Sequence, residues 1–339
     1  MWQQLRRVKP GCQASGPTDT ARSGSTVFAE VSKAKELITL DLESATYDEF
    51  GMLEVYAEYE GITLRTRPAV SRQTFELPSG QKLSGIVWGV GQPELVFLHG
   101  GGQNAHTWDS VGLHLDRPML AIDLPGHGHS DWRADRDYSP RANAVAVSAM
   151  IKELAPSALA VIGMSLGGLT LMHLAAEHPD QVRKAVIVDV TPNVLRRTAD
   201  MTARELGATS LVAGPQTFHS FDALVDATAR TLPARSIESL RVAVRHNSVQ
   251  DADGRWRWRY DRLDRCVPAD YGALWADLGR IRVPILMVRG GASGFVSQED
   301  ADALIALQPT AQVEVVAGAG HSVQSDRARD LSRLIEAFV

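Results

Sequence analysis

Cysteine is scarce: the 339 residues hold only Cys12 and Cys266, too few and too far apart for a disulfide framework or a metal cluster. A reducing compartment follows, and the cytoplasm is the expected location. Charge of one sign is also lacking. Lys and Arg total 35 against 40 for Asp and Glu, and a net charge of -5 exerts no broad pull on nucleic acid or anionic lipid. Long apolar runs are missing too. None approaches the roughly 20 residues that cross a bilayer, and the opening Met1–Arg7 lacks the apolar core of a secretory signal. Neither a membrane span nor nucleic-acid binding is expected, and oligomeric state is not legible.

What is present is a chain that is 44% hydrophobic, enough to bury a large core in one domain with an insertion, or in two. Residues 1–70 read as an N-terminal extension. Its Gly11–Ser25 stretch is too polar to order itself, whereas Glu30–Glu60 regains apolar residues without a clean period. A helix and a wrapped extension both remain open there, and function is not expected to start in it. Phe75–Leu77 and Leu83–Trp88 flank a Pro78-Ser-Gly80 turn and predict a hairpin. Short apolar runs follow at Leu95–Leu98, Met119–Ile122, Leu159–Ile162, Ala185–Val188, Ile285–Val288 and Val313–Val316. Most lack alternation, which suits strands buried on both faces, and the helix-like segments between them imply crossovers and a mainly parallel sheet. The spacing breaks once. More than 90 residues separate Asp189 from Pro284, so residues 191–282 are a candidate cap, with helix-like stretches near Ala199, Ala223 and Ser239. The core is then expected over residues 71–190 and 283–339.

Three motifs stand at the ends of these runs. Gly163-Met-Ser165-Leu-Gly167 lies between a strand and a helix-like segment, where small residues permit a tight turn that lifts the Ser165 hydroxyl above the sheet. A glycine-rich turn without chemistry is the competing reading. His99-Gly-Gly-Gly102 follows the first buried strand, and the Gly101 N–H, with that of Leu166, has the right placement to bind an oxyanion. Gly102 is a substitute for Gly101, and a flexible loop is the plainer alternative. Gly318-Ala-Gly-His321 follows the last strand, and an imidazole there can take and return the serine proton.

Together with Asp123-Leu-Pro-Gly-His-Gly-His-Ser130, these residues resemble the α/β-hydrolase superfamily, in the branch with a lid inserted after the sixth strand. The resemblance runs from Arg72 to Val339. It implies a mainly parallel eight-stranded sheet flanked by helices, a helical cap, no cofactor, and a Ser-acid-His triad built on Ser165 and His321. Acyl chemistry on a small-molecule ester or related substrate follows. A carbon–carbon bond hydrolase and a weakly active ligand-binding protein are the alternatives. Epoxide hydrolases and dehalogenases of this fold carry Asp where Ser165 stands, which disfavours both reactions.

One departure concerns the acid. Many family members place it in a turn after the first strand beyond the lid, yet Gly290-Gly-Ala-Ser-Gly-Phe295 offers Gly294 at that point. Asp189, at the end of the sixth strand, matches the position used by several dehalogenases and is the expected acid. Turn capping is its competing role, and Glu299 and Asp300 are alternatives that also suit the first turn of a helix. His127 and His129 have no accompanying ligand cluster, so no metal is expected. In Arg255-Trp-Arg-Trp-Arg-Tyr260, alternation on a cap strand would turn Trp256, Trp258 and Tyr260 inward to line an acyl pocket, in preference to nucleic-acid stacking. His246 and Asn247 read as cap-packing or substrate-facing residues.

Overall fold

A computed structural model describes residues 47–261 and 271–339. Cys12, Cys266 and the Gly11–Ser25 stretch lie outside the described residues.

The predicted hairpin forms as β1 (Val70–Glu76) and β2 (Lys82–Trp88), and the buried runs form β3 (Leu95–Leu98), β4 (Met119–Asp123), β5 (Ala160–Met164), β6 (Ala185–Val188), β10 (Ile285–Gly290) and β11 (Gln312–Val316). They assemble into one eight-stranded sheet in the order β1-β2-β4-β3-β5-β6-β10-β11. β2 runs antiparallel to β1 and β4, and the remaining pairs are parallel. The architecture is the one the resemblance implies.

The unbroken apolar runs follow from two cores. Along β3, Val96 and Leu98 point into one and Leu95 and Phe97 into the other, because successive side chains leave a strand on opposite faces. The first core is roofed by the helices Pro140–Leu154, Leu166–Glu177 and Leu274–Arg280, and the second by Asp109–Leu115 and Ala328–Phe338. β11 departs from the pattern. As an edge strand it leaves Val315 exposed, and only Val316 is fully buried.

Between β6 and β10 the chain leaves the sheet. The inserted segment forms the helices Val194–Thr198, Ala203–Leu206, Phe221–Thr231 and Ile237–His246. Alongside the expected helices it also holds a three-stranded antiparallel sheet of β7 (Thr217–Phe218), β9 (Trp256–Trp258) and β8 (Ser248–Gln250). Trp256, Trp258 and Tyr260 are buried while Arg257 and Arg259 are half-exposed, as the alternation predicts. They join Phe221, Leu224, Val225 and Val242 in a small core of the insertion's own, to which Met52 contributes.

The region before the hairpin is less idle than its composition suggests. A helix over Leu53–Tyr59 buries Leu53 and Ala57 against the sheet's second core. Glu49 pairs with Arg72 and His106, and the Tyr47 hydroxyl meets His246 Nδ1 at 2.6 Å. Residues 47–69 are thus tied to both the sheet domain and the insertion.

Candidate active site

The parallel strands end along one edge of the sheet, where side chains following several strands can converge. Ser165 follows β5, Asp189 follows β6, His321 follows β11 and His99 follows β3. The turn at Ser165 is tight enough to demand its glycines. A Cβ on Gly163 would sit 2.4 Å from the Gly167 carbonyl oxygen, and one on Gly167 would sit 2.3 Å from that of Leu98. Ser165 itself adopts φ 49 and ψ -116, a strained backbone that raises its hydroxyl at the start of the helix Leu166–Glu177.

The Ser165 Oγ lies 3.1 Å from His321 Nε2, and His321 Nδ1 lies 2.8 Å from Asp189 Oδ2. Because a carboxylate only accepts, Nδ1 carries the ring proton and leaves Nε2 free to accept from the serine hydroxyl. Asp189 is fully buried, and its charge is met on every side. The Gly290 N–H donates to Oδ1 at 2.9 Å, and the Ser293 hydroxyl donates to Oδ2 at 2.5 Å. Like Ser165, Asp189 stands at positive φ, 51°. The Phe295 ring stacks on the His321 imidazole at 3.4 Å between centroids and 10° between planes, which fixes the ring's tilt.

The other two carboxylates are engaged elsewhere. Asp300 bonds Arg197, Asn193 and the cap of its own helix, and Arg197 and Asn193 hold it near pKa 2 against a burial that would raise it. Glu299 pairs with Arg197 at the surface. Neither has a bond to His321.

The glycine loop is packed against the serine turn, since a Cβ on Gly100 would fall 3.3 Å from Ser165 Cβ and 2.6 Å from Met164 Sδ. Two buried histidines fix it. His99 Nδ1 donates to the Gly100 carbonyl at 2.8 Å, and its Nε2 accepts from the Leu124 N–H at 2.9 Å. His127 Nε2 accepts from the Gly102 N–H at 3.1 Å, and its Nδ1 donates to the Pro125 carbonyl at 3.0 Å. Burial disfavours the charged form of both and lowers the His127 pKa to about 3. The Gly102 N–H is thereby committed to His127. Among the described residues the N–H groups of Gly101 and Leu166 have no acceptor.

Residues 95–334 match the model of the alpha/beta hydrolase family. The chain belongs to that family. This α/β-hydrolase is 45% identical over 300 residues to the esterase Rv0045c of Mycobacterium tuberculosis, covering 88% of this chain and 98% of that one. It is 26% identical over 266 residues to the sn-1-specific diacylglycerol lipase ABHD11 of Mus musculus, covering 73% and 81%. A crystal structure of the Mycobacterium tuberculosis esterase Rv0045c superposes with a TM-score of 0.77 at 42% identity, over 87% of this chain and 99% of that one.

A cavity of about 140 Å³ opens beside the glycine loop of this α/β-hydrolase, and its wall includes Gly102, Gln103, Asn247, Trp258, Tyr260 and Ser322. His246 and Asn247 line it, and Tyr56, Tyr59 and Glu60 add a wall from the region where function is not expected to start. Several contributors escape sequence reasoning. Ser293 and Gly290 support Asp189 from the turn where an acid is missing, and His127, set aside as a metal ligand, braces the glycine loop. The spacing from His127 to Gly102 carries no local signal, because the bond depends on how the loops after β3 and β4 meet. No helix of the described residues is long and apolar enough to cross a membrane.

Proposed function

We propose that this α/β-hydrolase is a serine esterase that cleaves a carboxylic ester of a small-molecule acyl substrate through a covalent acyl-enzyme. The observation that carries the reading is the chain of contacts from Ser165 Oγ to His321 Nε2, 3.1 Å, and from His321 Nδ1 to the buried Asp189, 2.8 Å. In this reading His321 removes the Ser165 proton as the oxygen attacks the ester carbonyl. The resulting oxyanion is met by the N–H groups of Gly101 and Leu166, at the positive end of the helix that begins there. His321 then protonates the departing alcohol. A water activated by the same imidazole releases the acid and restores Ser165. Asp189 holds the proton on Nδ1 throughout and stabilises the imidazolium. Residues 191–282 act as a cap, and the cavity beside the glycine loop, lined by Trp258, Tyr260 and Ser322 next to His321, serves as the acyl pocket in this reading.

Family membership and the 45% identity to an esterase support ester hydrolysis. The rival reading of a weakly active ligand-binding protein leans on Gly294, and the contact of Asp189 with the imidazole at 2.8 Å favours the esterase reading over it. Cytoplasmic residence belongs to the proposal too, on the strength of only two cysteines.

Fluorophosphonate labelling and p-nitrophenyl ester turnover test the reading. Ser165→Ala should abolish labelling, and Asp189→Asn should lower kcat by about a thousand-fold or more. Labelling that persists in Ser165→Ala would remove Ser165 as nucleophile, and product analysis separates ester from carbon–carbon cleavage.

A further inference from the structure

The glycine loop has almost no conformational preference of its own, because three consecutive glycines leave the backbone free and Gly102 adopts φ 71. Its direction is set from outside. His99 and His127, both from the sheet domain, hold the Gly100 carbonyl and the Gly102 N–H. A third brace comes from the insertion. Asn247 Nδ2 donates to the Gly102 carbonyl at 2.7 Å, the shortest of the three bonds, and Asn247 Oδ1 accepts from Asn104 Nδ2 at 3.2 Å. One amide thereby fastens both ends of the 102–104 turn. Asn104 in turn caps the next helical turn by accepting from the His106 N–H at 3.0 Å.

Asn247 is itself well anchored. Its N–H is held by the Ala243 and Val244 carbonyls at the end of the helix Ile237–His246, and its carbonyl accepts from the Arg259 N–H at 2.9 Å.

We infer that Asn247 is a positioning residue for the esterase: from the cap, it holds the Gly102 peptide so that the Gly101 N–H stays aimed at the developing oxyanion. The inference rests on the serine-hydrolase reading above. Its physical basis is that oxyanion donors act through preorganisation, so a loop free to swing loses transition-state binding even when its donors are intact. The arrangement also couples cap seating to competence, since displacing the cap withdraws the brace. A tether that merely fastened the cap would change stability and substrate affinity. A positioning bond changes the chemical step.

Asn247→Ala and Asn247→Asp separate these roles. The aspartate keeps the shape and the bond from Asn104, yet has no N–H for the Gly102 carbonyl. With p-nitrophenyl acetate, whose acyl group is too short to fill the cavity, both variants should lose about ten- to a hundred-fold in kcat. KM should stay within about threefold, and affinity for phenylboronic acid, which forms a tetrahedral adduct on serine, should weaken by about the factor lost from kcat. Should the alanine variant fold poorly, the near-isosteric aspartate carries the comparison. A kcat within about twofold of the unsubstituted enzyme in Asn247→Asp, or a loss confined to KM, overturns the inference and leaves the esterase reading intact. Failure of the unsubstituted protein to react with fluorophosphonate at Ser165 overturns the esterase reading and the positioning role together.

Discussion

At the scale of single residues, the proposed acid takes two of its hydrogen bonds from the next strand and the turn after it. Asp189 is buried, and among the described residues it forms no ion pair with an arginine or lysine. The Gly290 N–H, the Ser293 hydroxyl and the His321 imidazole together satisfy its two oxygens. Removing one such donor leaves a buried carboxylate partly unpaired, at a cost of about 1–3 kcal/mol. Ser293→Ala should therefore retain the fold and lower kcat about five- to twentyfold, with a measurable drop in melting temperature. An unchanged kcat in steady-state ester assays would show that the hydroxyl is a bystander. The residue scale is also where the sequence is most deceptive. Ser165, His321 and Asp189 stand out in the sequence because each follows a recognisable strand. Ser293 and Asn247 are not, since a serine in a turn and an asparagine after a helix have common local uses, and their partners lie 104 and 145 residues away.

At the scale of elements, the serine turn depends on close backbone approach more than on side-chain packing. A methyl group at position 167 would lie 2.3 Å from the Leu98 carbonyl oxygen, and neither strand nor helix can yield there without disturbing the sheet. Gly167→Ala should destabilise the protein by about 2 kcal/mol or more and suppress fluorophosphonate labelling, as thermal denaturation and labelling rates would report. Trp258 offers a contrasting case, because it packs in the insertion's core while also facing the cavity. Trp258→Ala should shift ester preference toward longer acyl chains, read as a change in the kcat/KM ratio between butyrate and octanoate esters. A ratio unchanged within twofold would detach Trp258 from the acyl pocket. The strands were readable because burial on both faces removes alternation. The helix Leu53–Tyr59 was not, because Leu53 and Ala57 are its only buried residues and four-residue spacing of one pair is too brief to stand out.

At the scale of the whole molecule, a buried polar cluster joins the segment before the hairpin to the sheet domain and the insertion. Glu49 bonds Arg72 and His106, His106 bonds Asp109, and the His106 and His246 rings stack at 3.7 Å. Burial opposes charge on both Glu49 and His106. Their hydrogen bonds and mutual attraction, with Arg72 and Asp109, outweigh it, lowering Glu49 from 4.5 to about 2 and raising His106 from 6.5 to about 9. The stabilisation from His106 is complete below its ordinary value of 6.5 and is lost as pH rises toward 9. That from Glu49 is complete above 4.5 and is lost as pH falls toward 2. Buried His99, His127 and His246 resist protonation, so melting temperature should fall as pH drops below about 6.5, and it should also decline on the alkaline side as His106 loses its proton. His106→Gln should flatten that alkaline decline, and an identical slope in the variant would place its origin elsewhere.

The placement of Asp189 also bears on ancestry. Ser293 touches its carboxylate from the turn after β10, where the family resemblance implies an acid, and β10 pairs directly with the β6 strand that Asp189 follows. A lineage can therefore carry the charge from one strand to its neighbour while serine and histidine stay fixed, passing through a form that holds both carboxylates. Two kinds of hydrolase that differ in where the acid is written in the gene need not have arisen twice.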